Sequence, residues 1–250
     1  MKEPVTILIP VFDLPLTAVA MNSLATIHEH LGDFPITFIK GESLTQVEEL
    51  TEFCPSADFV SFDDRYFSSR AGYAKLLLSD ELYYNFGWSR YLLICEMNTV
   101  ITRNELAYWC RQGYDFIQPL PDLVAGKSIA TVVEMRFRTQ EFLQNNKSVM
   151  AEFGKSSGIS LRNTEAFHKL IKRKRRAIYR YLGAATELTN DALFWEFYAN
   201  RWWPEINTPT KLSRKRFAQS ATFTARLDGN SEKPFAIAGL SRPLPASDDL

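Results

Sequence analysis

Hydrophobic positions along this chain fall into two successive textures. Val5–Val11 (VTILIPV) is almost wholly apolar and β-branched, the pattern of a strand buried on both faces. Leu16–Leu31 carries apolar residues at helical spacing and stops at Gly32. Ile36–Ile39 (ITFI) and Phe59–Phe62 (FVSF) then read as short strands, and Tyr73–Tyr84 as a helix. Tyr91–Cys95 (YLLIC) is a further strand, Glu105–Arg111 a short helix closed by Gly113, and Tyr114–Gln118 (YDFIQ) another strand. Strands alternating with helices over the first ~120 residues predict an α/β fold with a mixed, mostly parallel sheet covered by helices on both faces. Such sheets bind ligands at the carboxyl ends of their strands. After Pro119-Leu120-Pro121 the pattern changes. Ala130–Asn145 looks helical, Lys155–Leu161 is polar and contains glycine, Thr164–Leu182 is a long amphipathic helix, and Asp191–Trp202 is a short aromatic helix. The expected organisation is one domain over residues 1–240, in halves 1–121 and 122–240, with 241–250 a flexible polar tail.

The length of 250 residues and a hydrophobic content of 46% supply a sizeable core and argue against disorder. Formal net charge is zero, so no global field recruits nucleic acid, and electrostatic function must come from local clusters. Cys54, Cys95 and Cys110 have no CxxC spacing, which suits reduced thiols in a cytoplasmic protein. The run at the start, MKEPVTILIPVF, is bounded by Pro4 and Pro10 and reads as a first strand, not a signal peptide. No run approaches the roughly 18 apolar residues of a membrane span.

Histidine chemistry is all but excluded. The three histidines are His28, His30 and His168; the first two are two residues apart on a helix and point to different faces. No GxGxxG or GxxxxGKS occurs. The better lead is Glu96-Met97-Asn98, directly after the strand Tyr91–Cys95; the apolar run then resumes at Thr99-Val100-Ile101. In an extended backbone the outer two side chains project to one side, and two hard oxygen donors there suit Mg²⁺ or Mn²⁺ bridging a diphosphate. The plainer alternative is a strand surfacing, with Asn98 in a turn and Glu96 in solvent.

The residues around this segment add to that reading. Ser68–Thr102 (SSRAGYAKLLLSDELYYNFGWSRYLLICEMNTVIT) resembles a signature of GT-A glycosyltransferases, in which an S-x-x-x-Y-x-[RK]-L helix precedes a strand ending in Asp-x-Asp. FDDRYFSSRAGY, ELAYWCRQGYDFIQP, GKSSGISLRN, TNDALFWEF and EKPFAIAG continue the resemblance in order across residues 4–240, and the match is to a bacterial, largely uncharacterised glycosyltransferase-like family. The resemblance implies a GT-A-like, Rossmann-like fold whose first half binds a nucleotide-sugar and whose second half faces the acceptor. Pro10, Val11 and Phe12 would border the nucleotide base. Lys75 would approach the donor's phosphates or sugar; on its own it reads equally as a solvated charge. Glu96, Met97 and Asn98 would occupy the Asp-x-Asp place, with Glu96 and Asn98 as metal ligands for Mn²⁺ or Mg²⁺. Ser156, Ser157 and Gly158, in SSGISLR, would line the sugar pocket. Asp191 would hold an acceptor hydroxyl or act as catalytic base; it also suits the first turn of a helix beside Asn190.

Departures from the family pattern accompany these matches. Asn98 stands where relatives keep aspartate, Ser156 where they have asparagine, Asn190 where they have glutamate, and Ala238 where a histidine is usual. The implied function is transfer of a sugar from a nucleotide-diphosphate donor to a glycan, glycoconjugate precursor or lipid-linked acceptor, as in polysaccharide biosynthesis. The alternative is a catalytically degenerate module that binds a nucleotide-sugar or a protein.

Within Phe167–Leu182, Lys169, Lys172, Arg173, Arg176 and Arg180 cluster opposite an apolar face. A solvated face, a peripheral contact with the inner membrane surface by Lys169–Arg180, and nucleic acid compete as explanations. Nucleic acid is the poorest, because the stacking aromatics expected of a single-strand binder are not interleaved through the run Lys169–Arg176. Trp202 and Trp203 could stack on a sugar or sit in the core.

Overall fold

The computed structural model describes residues 4–119, 158–183, 190–199, 205–221 and 233–241. The expected helix Ala130–Asn145, Ser156, Ser157, Trp202, Trp203 and all but the first residue of the 241–250 tail lie outside the described residues.

Strands β1 (Thr6–Val11), β2 (Ile36–Gly41), β3 (Asp58–Phe62) and β4 (Tyr91–Cys95) run parallel. Strand β7 (Ile159–Asn163) is antiparallel to both β4 and β6 (Phe116–Ile117), giving a six-stranded sheet in the order β3-β2-β1-β4-β7-β6. Helices α1 (Ala18–Leu31), α2 (Glu48–Phe53), α3 (Arg70–Leu77), α4 (Asp80–Asn85), α5 (Leu106–Arg111) and α6 (Thr164–Gly183) complete the frame. Two buried clusters show that both faces are covered. Ile7, Ile9, Val11, Leu93 and Cys95 pack with α1 and Trp109 on one side. Leu8, Leu92 and Ile94 pack with α3, α4 and the apolar stripe of α6 on the other. Consecutive strand residues thus enter opposite cores, which is why the strands read as continuous apolar runs.

The alternation of the first half is borne out, with one difference there and two more in the second half. The expected helix Tyr73–Tyr84 is two helices, because Ser79 caps α4, accepting from the Leu82 amide and donating to the Leu76 carbonyl (2.8 Å). A serine that can bond its own backbone favours such a break. Part of the polar segment Lys155–Leu161 is strand β7, in which Ile159 and Leu161 alternate with inward-facing Ser160 and Arg162. The aromatic helix expected from Asp191 is a single turn, α7 (Asp191–Leu193), followed by a π-helical turn, Phe194–Ala199.

The resumed run Val100–Ile101 leaves the main sheet as β5. It joins β9 (Ala236–Ala238) and β8 (Ala218–Ser220), which follows α8 (Lys211–Phe217), in a three-stranded sheet of order β5-β9-β8. The interruption at Glu96-Met97-Asn98 is therefore the crossing between two sheets. The end of the described chain closes on it: the Leu240 amide donates to the Asn98 carbonyl at 2.9 Å.

Candidate functional site

Strand β4 ends at Cys95, and the backbone then turns, with the Thr99 amide donating to the Glu96 carbonyl at 3.1 Å. The Glu96 amide donates to the Gly158 carbonyl (2.7 Å), so the start of β7 is pinned to the end of β4. Gly158 approaches closely: a Cβ there would lie 2.5 Å from Asn98 Oδ1 and 2.9 Å from Thr99 Oγ1, so those side chains would have to shift to admit one.

Glu96 does not face solvent, contrary to the plainer expectation. It is 7% exposed, because α3 and the loop of Gly158 close over it. Its Oε2 lies 3.6 Å from Arg70 Nη1 and accepts from Asn98 Nδ2 at 3.4 Å. Burial raises the carboxyl pKa; Arg70 opposes this and the nearby charge of Asp191 adds to it. Glu96 and Asn98 thus meet, as the spacing predicts, though through a turn and not an extended strand.

Asp191 opens α7 and is buried, while Asn190 is the N-cap and accepts from the Ala192 amide at 2.7 Å. Asp191 Oδ2 accepts from Arg162 Nη2 at 2.7 Å. The same guanidinium donates to the Tyr83 hydroxyl (2.9 Å) and to Ser160 Oγ (3.0 Å), and lies near the rings of Phe116 and Phe167. Burial works against the Arg162 cation, but Asp191 and Tyr83 outweigh it, and its pKa is raised. The Tyr83 hydroxyl is pushed up to about 12, chiefly by burial. Tyr73, on α3, is also buried; its hydroxyl has no hydrogen-bond partner among the described residues and feels Glu96, Arg162 and Asp191.

At the end of β1, Pro10 and Val11 are buried strand residues, and half-buried Phe12 meets Tyr73 edge-to-face at 5.1 Å and Phe67 at 5.8 Å. Met97 is partly buried against the core under α1. Lys75 is exposed, five residues beyond Arg70 and so about 140° around the helix from it. The fold therefore gathers Phe12, Tyr73, Glu96, Asn98, Gly158 and Asp191 around the ends of β1, β4 and β7, and leaves Lys75 on the outer face of α3.

Two residues in this cluster carry no role in the sequence reading. Arg70 lies within a quoted motif, and its spacing of three from Tyr73 is the signal that places both on one face. Arg162 follows Ser160 by two in a strand, which aims both inward; a buried arginine there calls for a buried acid.

A divalent cation needs several hard oxygens around it. Glu96 supplies one carboxylate, which is bonded to Arg70 and Asn98, and Asn98 Oδ1 accepts from Thr99 Oγ1 at 3.3 Å. Among the described residues no group of three or more His, Cys, Asp or Glu side chains could hold a metal. The residues described at this site do not fit Mn²⁺ or Mg²⁺.

The architecture is that of the GT-A glycosyltransferases. The chain superposes on the galactosyltransferase LgtC, crystallised with donor and acceptor sugar analogues, with a TM-score of 0.57 and 11% identity over 95% of this chain and 87% of that one. It also superposes on core-mannan synthase A (CmsA/Ktr4) from Aspergillus fumigatus in its Mn/GDP form, with a TM-score of 0.51 and 8% identity over 82% of this chain and 71% of that one. At these identities the likeness is one of fold. No curated protein sequence matches the chain. Residues 56–238, well over half of its length, match the model of a protein family of unknown function, DUF5672, and the chain belongs to that family.

Proposed function

We propose that this protein transfers a sugar from a nucleotide-diphosphate donor to a glycan or glycoconjugate precursor. One observation carries the reading: an aromatic wall, a carboxylate–amide pair and a glycine of close approach converge at the strand ends of a GT-A fold. Phe12, beside Pro10 and Val11, would stack on the base, a contact worth about 1–3 kcal/mol per base. Glu96, Met97, Asn98 and Gly158, with Ser156 and Ser157 preceding it, would border the diphosphate and sugar. Asp191, with one oxygen committed to Arg162, would orient an acceptor hydroxyl through the other. Lys75 would contribute only if the donor extends over the outer face of α3.

A second reading, a module that binds a nucleotide-sugar without turnover, is favoured by that same Arg162–Asp191 pair, which ties up the acid proposed as base. Calorimetric titration with UDP- and GDP-sugars, followed by a transfer assay on glycan acceptors, separates the two. Binding with release of nucleoside diphosphate is expected. Binding without release would favour the module, and no binding of any nucleotide-sugar would contradict both.

The peripheral membrane contact of Lys169–Arg180 stands as a proposal. Within that stretch Lys169 pairs with Glu165, and Arg173 and Lys174 pair with Glu205, each at 2.6 Å, so part of the positive face is already neutralised. No described helix is long and apolar enough to cross a membrane.

A further inference from the structure

We infer that Arg70 supplies the positive charge for a nucleoside diphosphate at this site, and that binding does not require a divalent cation. The inference rests on the sugar-transfer reading above and names the group that would grip its donor. A metal that bridges a diphosphate is held by one or two carboxylates that are free to face it, with phosphate and water oxygens completing its shell. Here the Glu96 side chain is only 10% exposed and lies against the guanidinium of Arg70, whose own side chain is 59% exposed. Glu96 therefore serves to hold a cation that is part of the chain. A guanidinium presents five donors in a planar fork, enough to rest on a carboxylate and still meet phosphate oxygens.

Two further features converge on the same place. Arg70 is the first residue of α3, after the N-cap Ser69, so it extends the positive end of that helix toward the strand ends. Tyr73, three residues on and 4% exposed, has a buried hydroxyl without a partner among the described residues, close enough to Glu96, Arg162 and Asp191 to feel their charges. Buried hydroxyls are rarely left unpaired, and this one calls for an oxygen that the described residues do not provide. Among the described residues of the cluster Arg70 is the accessible cation, whereas Arg162 is buried and committed to Asp191, Tyr83 and Ser160.

The test is calorimetric titration of the full chain with a panel of nucleoside diphosphates (UDP, GDP, ADP and CDP), in EDTA and again in Mn²⁺. The wild type should bind one of them equally well in both buffers. Arg70→Ala should weaken that binding about tenfold or more, and Arg70→Lys should restore part of it, as loss of charge-assisted hydrogen bonds predicts. Circular dichroism checks that the variants fold. Binding seen only with Mn²⁺, or undiminished in Arg70→Ala, overturns this inference and leaves sugar transfer standing. No binding of any nucleotide in either buffer overturns both.

Discussion

Asp191 and Arg162 form a buried ion pair beside the candidate site. Both are buried, and removing one partner leaves the other's charge uncompensated, at a cost of about 3–5 kcal/mol. Asp191→Ala should therefore lower stability by that order, and Asp191→Ala with Arg162→Met should recover a large part of it. Chemical denaturation of the two single variants and the double variant measures this, and strictly additive losses would show that the pair does not act as a unit. A helix-cap role would predict far less for Asp191→Ala, about 1 kcal/mol, and Asn190 already fills the cap. Asp191 could be singled out from the order of motifs. Its partner could not, because nothing local links positions 162 and 191, which β7 and α7 bring together from 29 residues apart.

Among elements, the legible ones were those whose burial is uniform. β1, β4 and α1 bury whole runs or one clean stripe, so sequence period and structure coincide. β5, β8 and β9 span two or three residues each and take their pairing from one another, which no local period encodes. β7 was hidden by the polar residues Ser160 and Arg162, whose partners are interior. The contact between β7 and the end of β4 is where an element most directly shapes the site. Gly158→Ala would press a methyl on Asn98 Oδ1 and Thr99 Oγ1, and should cost about 1–3 kcal/mol, as overpacking does. Thermal unfolding would detect this, and an unchanged melting temperature would mean that the loop of Asn98 yields freely.

Across the whole molecule, the buried tyrosines of the core under α3, α4 and α6 couple folding to alkaline pH. Burial raises the hydroxyl pKa of Tyr73 and Tyr83, the latter to about 12, against about 10 in the unfolded chain. The folded state therefore keeps protons that the unfolded state loses. The stability these groups contribute is intact below pH ~10 and declines as pH rises toward ~12. Tyrosinate absorbance should lag behind that of free tyrosine in this range and then rise together with loss of helical circular dichroism. Full ionisation of the tyrosines with the fold intact would contradict the burial described here.

A nucleotide-sugar is expected to bind at the carboxyl ends of β1 and β4 and the amino end of β7. Amide hydrogen exchange with and without the tightest-binding nucleotide-sugar tests it most directly. The expected result is slowed exchange in peptides covering Val11–Phe12, Phe67–Tyr73, Glu96–Thr99 and Gly158–Arg162. Protection confined instead to the opposite end of the sheet, around Arg90, Tyr91 and Cys110, or absent altogether, would contradict it.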